Sequence, residues 1–99
     1  MAYKIKWSPQ SSDDLFQIAE FISRDSMNYA GIVVENILKS TGVLSEFPYS
    51  GRIVPELGIK TIRELLIYSY RLIYQVREDA ILIVAVIHSK RLLDIDDRI

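Results

Sequence analysis

The sequence predicts an α+β fold in which an N-terminal strand is followed by an antiparallel helical hairpin and then by a three-stranded antiparallel meander. Three observations predict it: a period-2 segment at the N-terminus, two segments of helical periodicity before residue 50, and three segments rich in Ile, Leu, Val and Tyr after residue 60. A chain of 99 residues has the length of one domain, so we expect residues 1–99 to form a single domain.

The first half of the chain contains the strand and the hairpin. Tyr3 to Trp7 alternate apolar and polar residues, as a half-buried strand does. Ser8 then offers a helix cap and Pro9 fits the first helical position, so the first helix is predicted to begin here. Its apolar stripe consists of Leu15, Ile18, Ala19 and Ile22 and ends near Asp25. A second helical pattern runs from about Asn28 to Phe47, and the short connection between the patterns predicts an antiparallel hairpin.

The second half begins with a loop and continues as strands. Five helix-breaking or turn-forming residues mark the loop: Pro48, Ser50, Gly51, Pro55 and Gly58. The strand candidates that follow are Thr61 to Ile67, Tyr70 to Arg77 and Ala80 to His88. Tight turns are predicted at Tyr68-Ser69 and Glu78-Asp79, which makes the three strands an antiparallel meander.

The last strand candidate has no polar position from Ala80 to Ile87, so neither of its faces is an obvious solvent face. Two helices cover one face of a sheet this small. The other face is then covered by the C-terminal tail from Leu92 to Ile99, by bulky neighbours on the sheet, or by another protein. A strand buried within its own chain and an apolar groove that awaits a partner both stay open. The tail is predicted to form either a helical turn or a surface segment.

Composition excludes several classes of function. The chain has no cysteine and a single histidine, so we expect neither a disulfide scaffold nor a metal centre, and no cofactor. No apolar run approaches the roughly 20 residues of a membrane span, and the N-terminus lacks a signal-type stretch, which predicts a cytoplasmic protein. The net charge of −1 provides no global field for a polyphosphate partner.

Most basic residues follow residue 50, so candidate binding residues lie in the second half. Arg52 lies in the flexible Pro/Gly loop and is free to contact a partner. Arg63, Arg71 and Arg91 either form a functional surface or pair with carboxylates such as Glu64 and Asp94. Strand alternation places Arg71 on the face away from the helices if Leu72 and Tyr74 are core, whereas the orientation of Arg63 depends on the register. His88 is either a proton-transfer group or a hydrogen-bonded structural residue.

The order of these elements and five segments resemble the ParE/RelE superfamily of bacterial toxins, the ParE branch more closely. The segments are Ala19-Glu20-Phe21-Ile22, Phe47-Pro48-Tyr49-Ser50-Gly51-Arg52, Ile62-Arg63-Glu64-Leu65, Tyr70-Arg71-Leu72-Ile73-Tyr74 and Val86-Ile87-His88-Ser89-Lys90-Arg91. The resemblance spans nearly the whole chain. It implies that the chain is the toxin of a type II toxin–antitoxin system. Plasmid stabilisation proteins belong to the same branch of the family.

The resemblance implies two mechanisms, because this fold hosts both ribosome-dependent messenger-RNA nucleases of the RelE type and poisons of DNA gyrase. A RelE-type nuclease has lysines before the middle strand, two arginines on the last two strands and a tyrosine or histidine near the C-terminus. Arg71 and Arg91 match the arginines, but the lysine positions fall in Thr61 to Leu66, which contains none, and the tyrosine position falls in Asp94 to Asp97. The sequence therefore favours gyrase binding without catalysis; the alternative is a nuclease that uses His88, Arg71 and Arg91.

The resemblance also implies a partner, a ParD-like antitoxin whose C-terminal segment wraps the toxin in a hetero-oligomer. We expect this segment to be amphipathic and acidic. Its apolar face would cover the last strand and exposed aromatic residues such as Phe16, Phe21 and Tyr29, and its carboxylates would pair with Arg63, Arg71 or Arg91. The predicted target- or antitoxin-binding residues are Arg52, Arg63, Arg71, His88 and Arg91.

Overall fold

The computed structural model describes residues 2–91 and residue 98. Its elements in chain order are β1 (Lys4–Trp7), α1 (Pro9–Ser23), α2 (Met27–Leu44), β2 (Arg52–Ile53), β3 (Ile62–Ile67), β4 (Tyr70–Val76) and β5 (Ala80–His88). The predicted α+β fold is confirmed, with its N-terminal strand, helical hairpin and meander of β3, β4 and β5. The tail from Leu92 to Asp97, and with it the predicted tyrosine position, lies outside the described residues, as does Ile99.

Local sequence explains where the helices begin. The Ser8 hydroxyl accepts a hydrogen bond from the backbone N–H of Ser11 at 3.1 Å, and Pro9 follows at the first helical position. The Ser26 hydroxyl caps α2 in the same way through the N–H of Tyr29 at 3.0 Å. The helix α2 ends at Leu44 rather than at Phe47, as sequence periodicity alone would place it.

The sheet contains two strands more than the meander, in the order β1-β5-β4-β3-β2. The strand β1 runs parallel to β5, with Lys4 opposite Ala80 and Trp7 opposite Ile83. The buried Ser11 hydroxyl, on the first turn of α1, donates to the carbonyl of Ile83 at 2.8 Å and ties the start of the hairpin to the same strand. The chain therefore closes its N-terminal strand against its last one, and β5 becomes an interior strand.

A register shift between Ile73 and Tyr74 of β4 places two consecutive residues of β5, Val84 and Ala85, on the same face of the sheet. Before the shift Ile81 and Ile83 face the helices, and after it Val86 does, in one core with Leu72 and Tyr74. Val84 and Ala85 turn to the opposite face of the sheet and join a second core with Val54 and Ile62.

The second core shows a cover for the face away from the helices that the sequence did not indicate, whereas the tail from Leu92 to Asp97, one of the predicted covers, lies outside the described residues. The loop after β2 covers this face, since Val54 is fully buried there and Leu57 packs beside it. The five residues Ile81, Ile83, Val84, Ala85 and Val86 are all buried within the chain. The prediction that an antitoxin covers this strand is therefore wrong, and the interpretation of a strand buried in its own chain is confirmed.

Tyr74 anchors the other end of the same loop. Its side chain is fully buried, and its hydroxyl accepts a hydrogen bond from the backbone N–H of Gly51 at 3.0 Å. A Cβ atom at position 51 would lie 2.5 Å from the carbonyl oxygen of Glu64 and 2.6 Å from the Tyr74 hydroxyl, so only glycine lets the loop approach this closely.

Candidate functional site

Arg71 lies at the centre of a buried ionic cluster on the sheet face away from the helices, as strand alternation predicted. Its guanidinium forms a two-pronged pair with Glu56, Nη1 to Oε2 at 2.6 Å and Nη2 to Oε1 at 2.7 Å. It also contacts Oε1 of Glu64 from Nε at 2.8 Å and from Nη2 at 2.6 Å. The other oxygen of Glu64 accepts from Nε of Arg52 at 2.6 Å. We call Arg52, Glu56, Glu64 and Arg71 the arginine–glutamate cluster.

The nitrogens of the Arg71 guanidinium are all engaged, by an ion-pair contact of Nη2 with Glu64 and by four hydrogen bonds. The last of them is donated from Nη1 to the backbone carbonyl of Arg91 at 3.1 Å, at the end of β5. The hydrogen bond to Glu56, followed by the bonds and charge of Glu64, raises the pKa of Arg71 above its usual value although burial opposes this. Arg71 is 5% exposed. A ligand would have to break an internal bond to reach it.

Arg63 does not share the surface of Arg71. In the register of β3 with β4 it stands opposite Tyr74, whereas Glu64 stands opposite Ile73, so the two neighbours face opposite sides of the sheet. Its guanidinium donates to the carbonyls of Lys60 at 2.8 Å and Gly51 at 3.0 Å, and lies 5.0 Å from the ring centroid of Tyr49. Arg63 holds the two ends of the Pro/Gly loop together.

Four cationic side chains line a shallow cleft of about 380 Å³ next to the arginine–glutamate cluster. We call it the cationic cleft; it is lined by Arg52, Pro55, Glu56, Arg71, Ser89, Lys90 and Arg91. The side chain of Arg52 is 58% exposed although its Nε is paired, and Lys90 and Arg91 are exposed. The structure thus brings Arg52, Arg71 and Arg91 together at one cleft, a proximity that could not be predicted from the sequence. Lys90 and Glu56 joined this site without having been predicted.

His88 is exposed at the end of β5 and lines a different cleft, of about 330 Å³, with Arg91 at the boundary of the two. Its Nδ1 accepts a hydrogen bond from the backbone N–H of Lys90 at 3.2 Å, and its ring meets the ring of Tyr70 edge-on at 6.1 Å. Asp14 and Arg98 close the far side of this cleft through an ion pair of 2.7 Å. His88 therefore has a hydrogen-bonded role in the turn that follows β5.

The helical layer carries an apolar groove of about 810 Å³ between α1 and α2. We call it the hairpin groove; it is lined by Phe16, Ala19, Glu20, Ser23, Met27, Ala30, Gly31, Val34, Glu35, Leu38 and Lys39. Large apolar side chains border it in full view of solvent, with Phe16 66% and Met27 82% exposed. A second depression of about 480 Å³ continues it towards Trp7. Phe21 and Tyr29 are exposed on the same hairpin, as the sequence predicted.

Two searches for other kinds of site concern the described residues alone. In residues 2–91 and 98 no three His, Asp or Glu side chains converge in a way that would hold a metal ion. No helix in the same part of the chain combines the length and apolarity needed to cross a bilayer.

The fold belongs to a known class of bacterial protein, the toxins of toxin–antitoxin systems. It is similar to a chain of a solved structure described as the chromosomal ParDE TA system from P. aeruginosa, with a TM-score of 0.74 and 17% sequence identity, over 90% of this chain and 98% of that one. The family model described as the ParE toxin of the type II toxin–antitoxin system, parDE, matches residues 5–93. The chain therefore belongs to the ParE toxin family. A comparison with curated proteins finds no match.

Proposed function

We propose that this ParE-family toxin inhibits growth by binding DNA gyrase, without cleaving RNA, and that a ParD-like antitoxin neutralises it. The observation that carries the proposal, beside the family, is the state of Arg71. An arginine that stabilises a phosphorane in RNA cleavage must direct N–H donors at the substrate, whereas the nitrogens of the Arg71 guanidinium are all engaged inside the protein. A binding function does not require them.

The nuclease alternative keeps two exposed groups, His88 and Arg91, at one cleft. General acid–base cleavage needs one group to take the proton from the 2′-hydroxyl and another to protonate the leaving oxygen. The bond from Lys90 N–H occupies one ring nitrogen of His88. Two other groups that line this cleft can carry a proton: Asp14, which is paired with Arg98, and Tyr70, whose ring centroid lies 6.1 Å from that of His88.

Induced expression of the chain in a bacterial host separates the two mechanisms. Gyrase poisoning predicts a DNA damage response before any fall in protein synthesis. Messenger-RNA cleavage predicts translation arrest first. His88→Ala is the matched variant: full growth inhibition by this variant supports the binding mechanism, and its loss from a folded protein supports the nuclease. Cleavage of ribosome-bound messenger RNA by the purified toxin, with gyrase supercoiling unaffected, would refute the proposal.

The antitoxin surface proposed here is the hairpin groove. An amphipathic segment that folds on contact must bury enough apolar area to offset its ordering, which costs about 2–5 kcal/mol. The groove runs between α1 and α2 and exposes the apolar side chains of Phe16, Met27 and Leu38. Glu20, Glu35 and Lys39 at its rim supply polar partners for the edges of the segment. This replaces β5, which is buried, as the apolar docking surface.

Two glycines of α2 provide a matched test of the groove. A Cβ at either Gly31 or Gly42 meets no atom within 4 Å, and both positions are exposed, so a longer side chain at either can extend away from the core. Gly31 lines the groove and Gly42 does not. Gly31→Phe is expected to weaken binding of the neighbouring gene's product by about 30-fold, as a disrupted anchor pocket does. Gly42→Phe is expected to bind like the wild type, as measured by calorimetry. Equal affinities for the two variants would exclude the groove.

A further inference from the structure

The cationic cleft and the hairpin groove lie in different layers of the molecule. The helices pack on the core that includes Leu72 and Tyr74, whereas Arg71 and Glu64 point to the opposite face of the sheet, on the side of Ile73. A partner segment seated in the groove therefore does not touch the cleft unless it continues around the protein. The cleft needs an explanation of its own.

Three side chains of the cleft have donors available to a ligand. The Nε of Arg52 is paired with Glu64 at 2.6 Å, and both of its Nη groups lack a partner within residues 2–91 and 98. The ammonium of Lys90 and the guanidinium of Arg91 have none within the same ranges. Arg71 differs, because its guanidinium nitrogens are all engaged.

Arg71 instead controls where two of these cations lie. It holds the fully buried carboxylate of Glu64, whose other oxygen orients Arg52. It also holds the carbonyl of Arg91, which is the last residue described after β5 before the tail. Through its pair with Glu56 it also fixes the position of the loop that lines the cleft with Pro55 and Glu56. Arg71 thus donates directly to the backbone of Arg91 and is connected to Arg52 through one shared carboxylate, that of Glu64.

Charge indicates the class of ligand. Among the described residues, the four cations Arg52, Arg71, Lys90 and Arg91 face the two carboxylates Glu56 and Glu64, which leaves a surplus of two positive charges on this part of the cleft. About two carboxylates would neutralise this surplus. An arginine whose Nε is already paired can bind a further carboxylate through its two unoccupied Nη groups. A nucleic acid brings many phosphates, and its binding depends on the number of cations that meet them, while this chain has a net charge of −1.

We propose that Arg52, Lys90 and Arg91 bind carboxylate side chains of an acidic peptide segment, and that Arg71 is the positioning residue of this site and touches no ligand. The segment is an extension of the antitoxin beyond the hairpin groove, so this part of the inference rests on the proposed function. It also accounts for a wrapped segment, since groove and cleft occupy the two faces of the protein.

The first experiment needs no antitoxin. A hexaglutamate peptide is added to the labelled toxin at low ionic strength, and the Nε–Hε signals of its arginines are followed by NMR. The signals of Arg52 and Arg91 are expected to shift, while those of Arg71 and of Arg77, an exposed arginine at the distant β4–β5 turn, stay in place. A comparable shift of Arg71, or none at Arg52 and Arg91, would overturn the proposal.

A conservative variant then tests the positioning role. Arg71→Lys keeps the charge but cannot reproduce the four hydrogen bonds of the guanidinium. It is expected to weaken peptide binding about fivefold, as loss of an ion pair's geometry does. In this background Arg52→Gln is expected to add almost nothing, because an unpositioned Arg52 has already lost its contribution. Independent, additive effects would mean that Arg71 contacts the ligand itself. If Arg71→Lys does not fold, Glu56→Gln replaces it, with the exposed Glu78→Gln as control.

The antitoxin is the last step. A toxin with Arg52→Gln, Lys90→Gln and Arg91→Gln is expected to bind it about tenfold more weakly and with a smaller salt dependence than the wild type. An antitoxin that fails to bind the wild-type toxin would refute the proposed function and leave the peptide result standing. An antitoxin that binds the triple variant as tightly as the wild type would refute its extension into the cleft.

Discussion

Replacement of Tyr74 by phenylalanine tests what holds the Pro/Gly loop against the sheet. The substitution keeps the buried ring and removes one hydroxyl, whose single described backbone donor is the N–H of Gly51 at 3.0 Å. Gly51 is itself buried, so that N–H loses its acceptor without gaining water. A buried donor left without a partner costs about 1–3 kcal/mol.

This loss is large enough to measure in a domain of this size. Each kcal/mol lowers Tm by about 4–8 °C for a domain of 60–100 residues. We therefore expect Tyr74→Phe to melt several degrees below the wild type and to have a lower urea midpoint at an unchanged m-value. Tyr49→Phe is the control, since Tyr49 is half exposed on the same loop and keeps the ring that faces Arg63. A Tyr74→Phe protein within about 0.5 kcal/mol of the wild type would show that the hydroxyl does not anchor the loop.

Further predictions concern pH and three small residues. Burial raises the pKa of Tyr74 above its usual value near 10, so the folded state favours the neutral phenol. This contribution to stability is complete below about pH 10 and is lost as pH rises further. Urea titrations at pH 9 and 11 should show a larger fall for the wild type than for Tyr74→Phe, and parallel falls would contradict the assignment. Gly51→Ala forces its Cβ to within 2.5 Å of a backbone carbonyl and should destabilise by about 1–3 kcal/mol. Gly42→Ala, which meets nothing within 4 Å, should instead stabilise α2 by about 0.5–1 kcal/mol; the opposite order of melting temperatures would refute both. Ser11→Ala removes a buried hydroxyl that donates a hydrogen bond to the Ile83 carbonyl of β5. It should lower the free energy of unfolding by about 1 kcal/mol in the same urea assay. An unchanged midpoint would show that this bond does not stabilise the fold.

The arginine–glutamate cluster changes how the second half of the sequence is understood. The match of Arg71 and Arg91 to two nuclease arginines made both of them candidate site residues. In the structure one is enclosed by carboxylates and the other is exposed, and the first donates to the backbone of the second. Two arginines that match the same motif therefore lie in different environments. An arginine can bind a ligand only if it is accessible and has N–H donors that are not already bonded within the protein.

Local signals in the sequence were enough for the elements and for one face of each. Period and caps placed β1, α1 and the three meander strands to within a few residues, since side-chain periodicity and backbone capping are properties of neighbours in the chain. The same alternation placed Arg71 on the face opposite Leu72 and Tyr74, and therefore away from the helices once those two residues are core. Exposed aromatic residues on the hairpin followed from the narrow width of its apolar stripe.

Tertiary structure decided which residues meet across the chain. The fold also contains the parallel pairing of β1 with β5, the bulge that turns Ala85 to the same face as Val84, and the loop that covers that face. All three depend on partners distant in sequence, for which one chain carries no local signal. Register placed Glu64 within reach of Arg71 and turned Arg63 to the other side, although the three lie within nine positions of one another. A one-residue difference in strand position reverses the face of a side chain. For this reason the sequence determined the toxin fold and its candidate cations, while only the folded chain separated the exposed arginines, Arg52 and Arg91, from the buried Arg71 that pairs with Glu56 and Glu64.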